Sequence, residues 1–210
     1  MSDSVPDAAH STPAGPAITT RLSWAETREL MRQDHARYAP FMGEDASLSK
    51  RIFWILLPGS LGLASYRLYR YMHLRGWRAA ANLMFLVNRY VTGIDIPPAS
   101  AIGGGCLLGH GAVVLCGRIG SGFTMMGHGG IGGGFDSADV GAGPGLPVVG
   151  DNVVMAIRST ILGAVRIGDG ARLGPCCLVT RDVPAGGIVA AAPSRVMRRG
   201  DADPRRGEPA

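Results

Sequence analysis

The chain has 210 residues, of which 46% are hydrophobic and 18% charged, and a formal net charge of +5. That length suits one main domain with an appendage. The basic balance is compatible with small anions, membranes or nucleic acid alike, but no basic, aromatic-interleaved nucleic-acid motif is present. Much of the excess charge is arginine, gathered between Arg67 and Arg89 and again from Arg195 to Arg206.

Residues 1–20 are polar and rich in Pro, Ala and Ser, without the apolar core of a signal peptide, and read as a disordered lead. Ser23 to Tyr38 reads as a helix, with Ser23 as N-cap and Glu26 three residues on in a capping-box pattern. A second helix is expected over Ser47–Leu57, stopped at Pro58, and a third over Leu61–Leu74, ending at Gly76. The third carries Arg67 and Arg70 among Tyr66, Tyr69 and Met72, with Arg75 just beyond it; the expectation is a solvated arginine face over a packed aromatic one. A fourth helix runs over Trp77–Val91 and ends at Gly93. The most apolar stretch, Ile52 to Ala64, is too short to span a membrane and contains Pro58 and Gly59, so no integral span is expected.

From Gly93 the composition changes to Gly, Ile and Val, which places a domain boundary near Thr92: a helical region over 21–92, then a second domain over 93–197. An apolar residue now recurs every sixth position. The run Ile96, Ile102, Leu108, Val114 is followed, after a one-residue contraction, by Ile119, Met125 and Ile131. The run Val149, Met155, Ile161, Ile167, Leu173, Val179 then keeps the step without a slip. A period of six is neither helical nor strand alternation. It marks a hexapeptide parallel β-helix, in which each unit forms one flat side, the apolar residue points inward and small residues turn the corners. The 32 glycines, which would otherwise mean low complexity, then fall at repeat corners.

The segment 132–148 departs from the repeat. Ile131 and Val149 stand eighteen apart, so it replaces the length of a whole coil and reads as a loop that leaves and returns in register. The repeat is expected to end near Pro184, followed by a basic segment from Arg195 to Arg199 and a flexible tail over 198–210. An open coil exposes its terminal strands, so the N-terminal helices are a natural cap for one end, and side-by-side association would bury the outer faces. Cys106, Cys116, Cys176 and Cys177 form no C-x-x-C pair and are read as reduced thiols of a cytoplasmic protein.

The segment Thr92-Gly93-Ile94-Asp95-Ile96-Pro97-Pro98-Ala99 with Ile102-Gly103-Gly104-Gly105 resembles serine O-acetyltransferase and its hexapeptide acyltransferase relatives. The likeness continues through Leu107-Leu108-Gly109-His110-Gly111-Ala112, Val149-Gly150-Asp151-Asn152, Ile167-Gly168-Asp169-Gly170 and Val179-Thr180-Arg181-Asp182-Val183-Pro184. It covers about residues 45–197 and implies a mainly β fold: a left-handed parallel β-helix with an α-helical N-terminal cap, assembled as a homotrimer or a dimer of trimers. It also implies acetyl-CoA as co-substrate, no metal, and a small-molecule hydroxyl acceptor, L-serine or a similar amino acid. The resemblance casts His110 as general base and Asp95 as the acid that orients its imidazole, a base near neutral pKa held in one tautomer by a carboxylate. The coenzyme's arm would lie along a groove bordered by Ala156, Arg158, Ser159, Gly174 and Pro175, with Arg195 meeting its phosphates.

The acceptor side departs from the family. Serine acetyltransferases carry Asp-His where this chain has Gly109-His110, and Arg-His-Pro where it has Gly145-Leu146-Pro147. Those missing groups help hold the amino acid's charged ends, each through charge-assisted bonds. His128, Asp136 and Asp139 are the candidate substitutes. A sugar or exopolysaccharide precursor as acceptor, and a non-catalytic structural trimer, are the alternatives. A zinc lyase on the same fold would need three ligands, and the repeat domain holds two histidines, His110 and His128, at different register positions. The chain ends Gly207-Glu208-Pro209-Ala210 rather than in the isoleucine that relatives insert into cysteine synthase, so that partnership is not implied.

Overall fold

A computed structural model describes residues 21–43, 47–133 and 145–193. Five helices come first: α1 (Trp24–Ala36), α2 (Ala39–Met42), α3 (Leu48–Leu56), α4 (Pro58–Leu74) and α5 (Arg78–Thr92). The capping box at Ser23 and Glu26 forms as expected, with the Ser23 hydroxyl accepting from the Glu26 N–H and the Glu26 carboxylate from the Ser23 N–H. Pro58 stops α3 but also starts α4, three residues earlier than expected, because a proline lacks only the N–H that the first helical turn leaves unused. The short α2 had no periodic signal. Gly93 closes α5 in the left-handed conformation, at φ 72°.

Among the described residues fourteen short strands follow, β1 (Ile94–Asp95) to β14 (Ile188–Val189), each only two or three residues long. They form three parallel sheets: a first of β1-β4-β7-β10-β13, a second of β2-β5-β8-β11 and a third of β3-β6-β9-β12-β14. As far as β13, consecutive strands therefore step from the first sheet to the second to the third and back, so the chain is a three-sided coil whose neighbouring turns pair in parallel. The inward residues stack within each sheet: Leu115, Ile131, Ile161 and Val179 in the first, Ile102, Ile119, Val149 and Ile167 in the second, Leu108, Met125, Met155 and Leu173 in the third. All are buried in one apolar core.

Four sequence expectations change. Val114 points outward and is 41% exposed, while Val113 and Leu115 are buried; the step from Leu108 to the next inward residue is seven, and the step on to Ile119 is four. The 132–148 segment does not replace a coil. β7 (Gly130–Gly132) and β8 (Val148–Val149) are consecutive sides of one turn, and β8 pairs directly with β5 (Arg118–Ile119), so the chain leaves and rejoins the coil at one corner. The coil does not end at Pro184: Val183 bridges to Ile167, and β14 pairs with β12 (Arg172–Leu173). Lastly, the arginine face of α4 is not solvated: Arg67 and Arg70 are 1% and 4% exposed.

The reason for that burial is the open end of the coil. The first turn has no turn before it, so half of its backbone groups lack the partners that every later turn supplies. Side chains of the helical region take their place. Tyr69 donates to the Ile96 carbonyl, Arg70 to Pro98, Tyr66 to Ser100, Arg67 to Ile102 and Gly103, and Asn88 to Ile94. The Tyr38 hydroxyl both donates to the Leu108 carbonyl at 2.9 Å and accepts from the Leu108 N–H at 3.2 Å. Asp34 accepts from the Cys106 N–H and receives both Nε and Nη2 of Arg67. Burial opposes the charge on Arg67, but the Asp34 carboxylate outweighs it and holds the guanidinium pKa above its ordinary value.

Removing the hydroxyl in Tyr38→Phe leaves two buried backbone groups of Leu108 without partners and is expected to destabilise the protein by about 1–3 kcal/mol. Asp34→Ala strands a buried cation and is expected to cost more, about 3–5 kcal/mol. Urea unfolding of both variants checks the order; equal and negligible losses would mean that water replaces the cap.

Candidate active site

The corner that leads from the third sheet to the first repeats in four successive turns. Its residues are Gly109 to Ala112 after β3 (Leu107–Leu108), Met126 to Gly129 after β6 (Thr124–Met125), Ala156 to Ser159 after β9 (Val154–Met155), and Gly174 to Cys177 after β12. The third position of every corner is left-handed: Gly111 at φ 78°, His128 at 51°, Arg158 at 59° and Cys176 at 58°. Non-glycine residues rarely hold that conformation, and three stand in this one column, bearing an imidazole, a guanidinium and a thiol. Turn-to-turn bonds fix the column: the N–H of His110 donates to Met126, that of Arg158 to Gly127, and that of Cys176 to Ile157. His110, His128, Arg158 and Pro175 are therefore brought to one edge of the coil.

His110 and His128 stand one position apart on their corners. His128 stacks on Gly111, and a Cβ on Gly111 would fall inside the His128 imidazole, so this neighbour must be glycine for the ring to lie where it does. Both histidines are exposed. Gly127 takes the position under His110, where the His110 carbonyl leaves no room for a side chain.

Asp95, on β1, is 20% exposed and pairs with Arg89 of α5, its Oδ2 lying 3.3 Å from Nε. The pair lines a shallow cavity of about 460 Å3 with Gly93, Ala112, Val113, Val114, His128 and Gly129. His128 thus shares a cavity with Asp95, whereas His110 stands on the adjoining corner outside that wall. Arg89 was missed by the sequence reading; nothing in a helical arginine signals it, and the Gly93 turn is what folds α5 back onto β1. Burial, and then the Asp95 charge, push the Cys116 thiol above its ordinary pKa, so it stays protonated rather than nucleophilic.

Of the expected coenzyme-contacting residues, Ala156 and Gly174 are half-buried and begin their corners, and Arg158 and Pro175 are exposed. Ser159 is fully buried, with its hydroxyl donated to the Ala156 carbonyl at 2.7 Å, so it shapes the corner rather than offering a free donor. Asp136, Asp139 and Arg195, with the lead and the tail, lie outside the described residues. The loop stem, where Gly133 closely approaches the Gly145 carbonyl, stands at the opposite edge of the first sheet from His128. Among the described residues no three His, Cys, Asp or Glu side chains gather as a metal cluster. No described helix is long and apolar enough to cross a membrane.

A three-sided parallel coil with helices at its start and histidines on one corner column is the architecture of an acyltransferase class. The computed structure superposes on serine acetyltransferase from Neisseria gonorrhoeae with a TM-score of 0.68 at 23% identity, covering 82% of this chain and 68% of that one; the gonococcal enzyme has also been solved in complex with serine. No protein-family model matches the sequence. Serine acetyltransferase of Helicobacter pylori is 31% identical over 159 residues, 74% of this chain and 91% of that protein. That of Mycobacterium tuberculosis is 32% identical over 155 residues, 72% of this chain and 65% of that protein. The chain belongs to the serine acetyltransferase family and is an acyltransferase.

Gly111→Ala is expected to destabilise the fold by about 1–2 kcal/mol through its positive φ and to displace the His128 ring. Combining it with His128→Gly should recover part of that loss, which thermal unfolding of the two single variants and the double variant will measure as a coupling. Strict additivity would show that the ring and the glycine are independent.

Proposed function

We propose that this protein transfers the acetyl group of acetyl-CoA to the hydroxyl of L-serine or a similar small amino acid. His110 takes the proton as the hydroxyl oxygen attacks the thioester carbonyl. The C–S bond then breaks, and the imidazolium returns the proton to the departing thiolate of CoA. General-base assistance of this kind is worth roughly a hundred- to ten-thousand-fold in rate. His110 supports the role by its exposure on the corner column, next to the turn that carries the second imidazole.

The observation that carries the amino-acid reading is the Arg89–Asp95 pair on the cavity wall. The family's clamp is missing at Gly109 and Leu146, yet an acid and a base of opposite sign stand together where His128 also faces. Exposed ion pairs contribute little to stability and exchange readily. An ammonium against Asp95 and a carboxylate against Arg89 would replace one protein pair with two ligand pairs. Asp95 therefore has two candidate duties, holding the ammonium and orienting the His110 imidazole.

The acetyl donor supplies the activated thioester, and its arm would run along the corner column past Ala156, Arg158, Gly174 and Pro175. Met126, Ile157, Val114 and Leu178 leave exposed apolar surface beside that column, between 41% and 56% accessible, which suits coverage by the arm or by a neighbouring copy. We take the coil to be left-handed and the assembly to be a homotrimer, with residues 21–92 capping the 93–197 domain, as the family implies. Four free thiols suit a reducing compartment and hence a cytoplasmic protein.

Acceptor-dependent release of CoA thiol, measured with L-serine, homoserine and simple sugars, tests the reading. Turnover with serine is expected, falling by about two to four orders of magnitude in His110→Ala. Turnover with sugars alone would overturn the amino-acid acceptor, and activity surviving in the variant would remove His110 as base. In Asp95→Asn, a fall in kcat at constant KM identifies the orienting duty, and a rise in KM identifies the ammonium contact.

A further inference from the structure

Among the described residues, one buried charge of the cap has no counter-charge. Arg67 and Arg70 lie one turn apart on α4, both more than nine-tenths buried. Arg67 is fully engaged by Asp34 and two carbonyls. Arg70 makes one hydrogen bond, from Nη1 to the Pro98 carbonyl at 3.0 Å, and among the described residues no carboxylate lies within ion-pair distance of it. A guanidinium has five N–H donors, and an unpaired cation in a buried place is costly.

Arg70 faces a cavity of about 600 Å3 between α1, α4 and the outer face of the second sheet. Arg118 of β5 shares the wall, with Gln33 and Ser121 adding polar groups and Leu22, Ala25 and Leu30 an apolar one. Two acids also border the cavity, but each is committed elsewhere. The Glu26 carboxylate accepts from the Ser23 N–H at 2.7 Å, and Glu29 is held by Arg32 and Gln33, which keep its carboxyl down at about 2. Three arginines, Arg67, Arg70 and Arg118, stand on the wall against those two acids. The cavity has the size and the mixed lining of a small-molecule site.

We propose that this cavity is a second ligand site, distinct from the histidine column, for a small organic oxyanion whose carboxylate or phosphate head meets Arg70 and Arg118 and whose short apolar body lies against α1. Its occupant supplies the counter-charge that Arg70 does not find among the described residues. Nothing in the acyl-transfer reading uses this pocket; it opens on the second sheet, while the histidine corner joins the third to the first.

Thermal unfolding and calorimetric titration of the full chain with butyl phosphate, butyrate and inorganic phosphate, against chloride at equal ionic strength, test the site. A saturable rise in the unfolding midpoint is expected with the alkyl anions, and the stronger of the two identifies the head group. Arg118→Gln should weaken binding by at least about tenfold, since charge-assisted bonds are lost. It should leave turnover unchanged. Arg70→Met should abolish the response; it also leaves the Pro98 carbonyl without its cap, so its unliganded stability reflects both that loss and the removal of a buried cation, and if the variant fails to fold, Arg118→Gln decides. The response should persist in Arg89→Gln. No saturable shift with any of the three anions, an unaltered affinity in Arg118→Gln, or loss of the response in Arg89→Gln would overturn the proposal, the last by placing the anion in the acceptor cavity.

Discussion

The structure depends on how the first turn of a parallel coil finds partners for its backbone. Every later turn is paired by its neighbours, and the apolar stack holds it from within, but the first turn presents a row of N–H and C=O groups to nothing. Left dry and unpaired, each would cost about 1–3 kcal/mol, enough together to undo a marginal fold. Left open to water, the edge would pair with another chain. The helical region answers with three tyrosines, two buried arginines, Asn88 and Asp34, whose polar ends sit at the spacing of the first turn's backbone. The cap is thus a side-chain imitation of a strand, and that explains why α4 alternates Tyr and Arg on one face.

The same repetition that stabilises the coil builds the site. Because each turn adds one corner to the column, residues far apart in sequence, such as His110, His128 and Arg158, arrive on one edge with no special packing. What varies between turns is only which side chain occupies the left-handed position. Gly111 gives up its side chain so that His128 can lie over it, and the Gly93 turn brings Arg89 of the cap to Asp95 of the coil. The cavity beside His128 consequently belongs to both regions, walled by a helix on one side and by the first sheet on the other.

Much of this was legible in the sequence, for identifiable reasons. Inward positions tolerate only apolar residues, so the six-residue period from Val149 to Val179 gives the coil and its register directly. The register failed at Val113-Val114-Leu115, where three adjacent apolar residues offer no contrast and the turn is uneven in its side lengths. The segment after Ile131 was read as leaving the coil and returning, but its eighteen-residue spacing was counted as a whole turn; the pairing of β5 with β8 makes Val149 the next side of the same turn instead. Arg67 and Arg70 looked like surface charges because their partners are mostly backbone carbonyls, which leave no trace in residue identity. His110 was visible through the family resemblance of its segment, Leu107 to Ala112, whereas Arg89 became visible only once α5 folded back.

The pair of hydrogen bonds between Tyr38 and Leu108 joins the cap to the strand that enters the histidine corner, two residues before His110. Helices and histidine are therefore not separable modules. An excursion that lifts α1 and α2 away frees the last anchored backbone before the corner, and the imidazole loses its placement while the turns behind it stay wound. The working lifetime of the site is then set by the opening of the cap, a local event of lower free energy than melting of the coil, and heat inactivation would precede loss of strand structure.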